Sequence, residues 1–454
     1  MSLAQTRSDG SADRLTFFGA VAIIVGIVIG AGIFKTPSMV AGMTGDPGWM
    51  LVAWLSGGVI SLAGALCYAE LATTYPNAGG DYHFLTRAFG KSISFLYAWA
   101  KAMVINTGSI ALLSFVFADY MNKVLNLGPY STAIWAIGVV LALTFINMAR
   151  LTTASWVQTL LTLLEVGGLI AVAIAGFYVS ADTPASPAYF STSPSLGMFG
   201  LAMVFVLLTY GGWNEAAYIS AEVRGGRRAI VPVIAFSILL LTLIYVLVSY
   251  ALLSGLGLAG LAKSNAVAAD LMGKAIGPSG EKIIGLFVAI AALTSINATM
   301  MVGARANFAL GRDWPALAFM GYWEGSHGSP ARALWVQSAI SLALVMFGLL
   351  QADGFGAMVE FTAPVFWTFL FLVGVSLFVM RMRDPDAERP FKVPLYPLTP
   401  VLFCLTCAYL AYSSITYAAS KNAVGVSLWV MAIGILVLLL MRVMRPRQPV
   451  QHHM

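Results

Sequence analysis

The sequence predicts an all-α polytopic membrane protein. Twelve transmembrane helices are expected, ten arranged as a five-plus-five inverted repeat and two more at the C-terminus. Three observations carry this. Composition is 59% hydrophobic and 10% charged over 454 residues, outside the range of soluble domains. Apolar segments of about 20 residues, long enough to cross roughly 30 Å of hydrocarbon, recur along nearly the whole chain. Two of them, the first and the sixth, are interrupted at membrane depth by paired glycines. They lie five spans apart, and five is odd, so the second five-helix unit enters the membrane upside down relative to the first.

The spans are expected at 15–41, 48–74, 92–118, 130–149 and 152–178 in the first repeat, 15–178. The second repeat, 197–380, holds 197–222, 229–254, 283–308, 333–350 and 355–380. The last pair, 398–418 and 425–443, completes 398–443, and the tails 1–14 and 444–454 are read as cytoplasmic. The polar start leads into an apolar run too long for a signal's core and without a small-residue cleavage pattern, so the first span is expected to stay. Under a cytoplasmic N-terminus, 18 of the 25 Lys and Arg fall on the cytoplasmic side, every arginine among them. Five lysines, 123, 263, 274, 282 and 421, fall on the far side. This positive-inside bias places the chain in the cell's inner membrane with both termini cytoplasmic. The formal charge of +6 then requires only anionic lipid, with no nucleic acid and no soluble partner evident.

In span one, "IVIGAGIFKTP" puts glycine at 30 and 32, a lysine at 35 and a proline at 37. In span six, "LLTYGGWNEAAY" sets Gly211 and Gly212 beside Asn214 and Glu215. A broken helix exposes amides on one half and carbonyls on the other, each end carrying about half a charge from the helix dipole. Amides around Ala31, Gly32 and Ile33 suit a carboxylate. Carbonyls around Val28 and Ile29, and near Leu208, Tyr210 and Gly211, suit an ammonium. The expected ligand is a small zwitterion, with Gly30 and Gly32 leaving it room.

The runs "IVGIVIGAGIFKTPSMVA", "YAELATTYPNAGGDYHFL", "YGGWNEAAYISAEV", "GARANFALGRDWP" and "RMRDPDAERPFKVPLYP" together resemble the amino acid–polyamine–organocation (APC) transporters. The likeness covers nearly the whole chain, in order, and is strongest to bacterial amino acid permeases close to the L-type group. It implies the leucine-transporter-like fold and alternating access. It also implies substrate-binding positions at Val28, Ile29, Gly30, Ala31, Gly32, Leu208, Tyr210, Gly211 and Trp213. Two positions depart from the family: Ala31 stands where many relatives have serine, and Leu208 where L-type relatives have an aromatic gate.

Ionisable groups at membrane depth cost about 3 kcal/mol each and are functional candidates by default. Lys35, lying where the helix dipole disfavours a cation, is expected toward the outer vestibule. Glu70 is expected to pair with Arg87 or Lys91 at the cytoplasmic interface. Glu165 falls where similar transporters often carry a lysine in place of sodium. It either pairs permanently with Lys101 or gains and loses a proton during the cycle. Glu215 holds the unwound segment or lines the cavity, and Glu360 is assigned no role. Ser295 and Thr299 of span eight could complete a cation site, although a hydroxyl bonding back to its own helix is the commoner outcome.

The reading is therefore a secondary transporter of amino acids, neutral L-amino acids by proton symport or exchange. The alternative is cationic amino acids or polyamines. An enzyme is disfavoured because the four histidines, 83, 327, 452 and 453, lie in loops or the tail. No catalytic residue, cofactor or metal is expected. Cys67, Cys404 and Cys407 read as packing residues without a disulfide.

Overall fold

The computed structural model describes residues 16–77, 79–148, 155–180, 188–216, 230–323, 330–420 and 424–443, excepting the side chains of 155–162, 215, 216, 230, 420 and 424. The expected tails, the basic run 224–228, Lys421 and three of the histidines lie outside these residues. Among the described residues nine helices are long and apolar enough to cross a membrane, and three shorter apolar helices supply spans one, five and six.

Span one is two pieces, Phe17–Val28 and Thr36–Thr44, and span two runs Pro47–Thr74. Span three covers Lys91–Val124, span four Ser131–Met148 and span five Ser155–Val179. Span six is Leu196–Thr209 followed by Trp213–Ala216. Spans seven to ten are Ile230–Lys263, Pro278–Asp313, Ala331–Leu349 and Gly354–Arg383. Spans eleven and twelve are Leu398–Ser420 and Val424–Val443. Span eight is longer at both ends than expected. Span seven continues past the expected boundary but kinks at Gly257, whose φ of 69° no helix uses.

Local chemistry accounts for the boundaries. Asp46 caps span two, accepting from the amides of Gly48 and Trp49 at 2.8 and 3.2 Å, with Pro47 at the first helical position. Span three carries a π segment at Lys101–Ile105, one residue of surplus inside a continuous helix.

The packing repeats with a period of five. Spans one, two, three and four each pack against the span five further on. Span three also packs on four as eight packs on nine, and ten packs on three as five packs on eight. Two ten-residue helices outside the expected spans fit the same scheme. Gly80–Phe89 precedes span three and Val267–Ile276 precedes span eight. Each is joined to its span by one glycine in an extended, positive-φ conformation: Gly90 at φ 85°, ψ 174° and Gly277 at φ 76°, ψ −166°. Only glycine takes that conformation cheaply, so both linkers require it.

Candidate functional site at the paired helix breaks

Below, the termini face is the end of the bundle where Phe17 begins span one, and the far face is where Thr44 ends it. In the first break Ile29 and Gly30 are extended, Ala31–Phe34 form a 3-10 turn, and the helix resumes at Thr36 with Pro37 in its first turn. The amides of Ala31, Gly32 and Ile33 open that turn, so they have no acceptor within it. A Cβ on Gly30 would stand 3.4 Å from Ser295 Oγ, which brings span eight to the break. In the second break Gly211 N–H donates to the Leu208 carbonyl at 3.1 Å, and Gly212 takes φ 105°. A Cβ there would lie 3.1 Å from the Ile27 carbonyl oxygen, and one on Gly32 would lie 3.6 Å from Thr209. Each break therefore rests against the chain leading into the other.

Span seven joins them. The Tyr245 hydroxyl lies 3.1 Å from the Val28 carbonyl and 3.3 Å from the Thr209 carbonyl, the last carbonyls of the two half-helices. Thr209 Oγ1 and Thr36 Oγ1 are hydrogen-bonded at 2.7 Å across the breaks. Tyr210 donates to the Trp54 carbonyl at 3.0 Å, and its ring stands edge-on to Tyr245 at 4.9 Å. Trp213 wedges between Tyr68 of span two and Phe403 of span eleven.

Of the positions expected to bind, Val28 to Gly32 and Leu208 to Gly211 form the facing surfaces of the two breaks. Trp213 is 6% exposed and packs on its neighbours. Two carbonyls expected to be free are already engaged, that of Val28 by Tyr245 and that of Leu208 by the amides of Gly211 and Tyr210. The Val28 carbonyl retains a second lone pair for a ligand. Thr299 Oγ1 bonds back to the Ser295 carbonyl at 2.9 Å, the ordinary arrangement for a helical threonine. Tyr245, Thr209 and Thr36 were missed from sequence. A signal for Tyr245 exists, since a phenol inside "ILLLTLIYVLVSY" must find a partner when buried.

The charges depart from expectation. Lys35 does not line a vestibule. It is 2% exposed, and its ammonium is saturated by Asp119 Oδ2 at 2.8 Å, the Asn265 carbonyl at 3.1 Å and Asn265 Oδ1 at 3.3 Å. Around it Ser38 donates to the Ser264 carbonyl at 2.7 Å and Tyr120 to the Phe34 carbonyl at 2.6 Å. The far-face half of span one is thus tied to span three and to the segment after span seven. Two rings, Phe205 and Phe355, stack at 6.1 Å beneath Lys35, whose ammonium is 5.8 Å from the Phe355 centroid.

Lys101 and Glu165 do not pair. Among the described residues no ion pair joins them, and Lys101 Nζ lies in the π segment 5.9 Å from the Tyr97 centroid. Spans three and five are separated by span eight, which packs on both. Glu165 is 6% exposed and stands within electrostatic reach of Tyr245, on the span that joins the breaks.

Glu70 also corrects its expectation. It takes a forked pair of bonds from Arg381 at 2.7 and 2.6 Å, one from the Val393 amide at 2.6 Å, and has Arg389 at 3.6 Å. Arg87 instead meets Asp384 at 2.8 Å, and with Tyr75 it holds that carboxyl below the ordinary carboxylate range. Neighbours in sequence lost because the termini-face end of span ten folds over the end of span two. Glu360 is half-buried in span ten, within electrostatic reach of Tyr417 on span eleven. The Glu215 side chain lies outside the described residues.

Residues 15–438 match the family model described as amino acid permease. The b(0,+)-type amino acid transporter 1 of Mus musculus is 29% identical over 402 residues, covering 87% of this chain and 81% of its own. The cystine/glutamate transporter of Homo sapiens is 26% identical, with coverages of 91% and 82%. The Asc-type amino acid transporter 1 of Mus musculus is 27% identical, with coverages of 92% and 78%.

Proposed function

This chain belongs to the amino acid permease family, and we propose that it carries neutral L-amino acids by alternating access, as a proton symporter or an exchanger. In this reading the units 15–178 and 197–380 are the two repeats, and the termini face is cytoplasmic in the cell's inner membrane. The observation that carries it is the meeting of the two breaks. The amides of Ala31 to Ile33, which open the 3-10 turn, receive the carboxylate. The Val28 carbonyl receives the ammonium, with Tyr245 fixing the spacing between the half-helices. Among the described residues the side chains facing the breaks, Thr36, Thr209, Ser295 and Tyr245, are uncharged, which favours a ligand whose own two charges balance. Glu165 is the group available for a coupling proton. As a buried carboxyl with no ion pair among the described residues it also supports the second reading, a cationic amino acid or polyamine.

Uptake into proteoliposomes tests these readings. A panel of neutral, cationic and acidic amino acids and polyamines is offered with and without a pH gradient and with unlabelled substrate inside. Accumulation of neutral amino acids driven by the gradient or by internal substrate is expected. Uptake confined to polyamines or cationic amino acids would establish the second reading.

A further inference from the structure

The amides of Ala31, Gly32 and Ile33 make one end of the site, and the other break brings a hydroxyl to it. The three atoms nearest a Cβ on Gly32 all belong to Thr209, its Cγ2 and Oγ1 at 3.6 Å and its Cα at 3.8 Å. Ala31 itself adds only a methyl here. Thr209 is the last residue of the first half-helix of span six, and Thr36 opens the resumed half of span one. Both are buried. Thr209 Oγ1 has two contacts, the Phe205 carbonyl at 2.9 Å and Thr36 Oγ1 at 2.7 Å.

This pair carries two hydroxyl hydrogens. Used within the protein, one runs from Thr36 to Thr209 and the other from Thr209 to Phe205. The second bond is the easier to give up, because the Phe205 carbonyl lies in an α-helix whose own amides serve it. An ionised acceptor binds a hydroxyl about twice as strongly as a neutral one. Rotation of the hydroxyl alone redirects its hydrogen. We infer that Thr209 donates this hydrogen to the carboxylate of the transported amino acid, with Thr36 donating to Thr209 behind it. The inference rests on the transport reading and adds to it the side chains of the acid end. Each donor in such a chain polarises the next. A ligand without a carboxylate leaves Thr209 on Phe205, so the pair favours amino acids over polyamines. Thr209 touches the ligand; Thr36 is a positioning residue.

The test uses the full chain in proteoliposomes loaded with the twenty L-amino acids, to which an isotope-labelled mixture of the same twenty is offered. KM is then measured for the amino acid taken up best, and the amine left by removing its carboxylate serves as competitor. Thr209→Val should raise KM at least about tenfold, as loss of a hydrogen bond to a charged group does, while inhibition by the amine changes less than twofold. Thr209→Ala carries the same expectation should valine crowd the break. Thr209→Ser, which restores a hydroxyl, should stay within threefold of the parent. Thr36→Val should raise KM about threefold, again without effect on the amine, and Thr36→Ser should reverse it. Parental KM in Thr209→Val, or a serine variant as impaired as the valine one, would overturn the inference. Equal loss of amino acid and amine would also overturn it, assigning the hydroxyl to the packing of span six. Those outcomes count against the inference alone. A parent that takes up none of the twenty would overturn the transport reading, and the inference with it.

Discussion

The hydroxyl of Tyr245 lies 3.1 Å from the carbonyl oxygen of Val28, holding the end of the first half-helix from a neighbouring span. The same hydroxyl is in reach of the Thr209 carbonyl, so one side chain sets the separation of both breaks. Tyr245→Phe keeps the ring packing and deletes that tie. A hydrogen bond is worth about 1 kcal/mol net, so substrate KM should rise roughly fivefold with little change in the yield of folded protein. An unaltered KM would mean that the tie is not part of the binding surface.

Glycines at the two breaks should respond differently. A Cβ on Gly32 meets only ordinary contacts at 3.6 Å, so Gly32→Ala should fold normally yet lose most uptake, and Gly32→Val should lose all of it. Gly212 is held at φ 105° with the Ile27 carbonyl 3.1 Å away, so Gly212→Ala should cost about 1–3 kcal/mol and lower the unfolding temperature in detergent. Full transport by Gly32→Val would show that no ligand occupies that space.

Glu165 separates proton coupling from a purely structural role. Glu165→Gln should abolish accumulation driven by a pH gradient while leaving exchange of internal for external substrate. Retention of gradient-driven accumulation would remove Glu165 from the coupling mechanism.

Glu70 is 1% exposed and depends on Arg381 for two of its bonds. Arg381→Ala strands a buried carboxylate and should destabilise the protein by about 3 kcal/mol, read as a fall in thermal stability. Arg381→Ala with Glu70→Gln should recover part of that loss, because no charge then remains buried without its forked partner.

Asp46 couples the cap of span two to the segment before span six. Burial pushes its carboxyl up, but amides of Trp49, Phe190, Thr192 and Gly48 pull it further down, for a net lowering from the usual 3.8. A depressed carboxyl stabilises the fold above its ordinary pKa, and that stabilisation is lost as pH falls through the lowered value. Asp46→Asn should therefore unfold at a lower temperature than the parent at pH 7, with the gap closing below about pH 4. A gap that persists unchanged at pH 3 would assign the effect to the amide side chain itself.

Much of this protein is written in its sequence. Hydrophobic runs fix the spans because lipid admits only helices that satisfy their own backbone, and Gly30, Gly32, Gly211 and Gly212 mark where two of them fail to. The repeat was legible further than the spans alone suggest. "RAFGKS" at 87–92 and "KAIGPS" at 274–279 are the same linker, each with its obligatory glycine. Tertiary structure decided the partners. Lys35 found Asp119 and Asn265, Glu70 found Arg381 over Arg87, Lys101 and Glu165 did not meet, and Tyr245, whose burial called for a partner without saying which, came to stand between two breaks. Backbone hydrogen bonding acts within a few residues and leaves a local pattern. Charge pairing acts across the packed bundle, where spans far apart in the chain lie side by side, and leaves none.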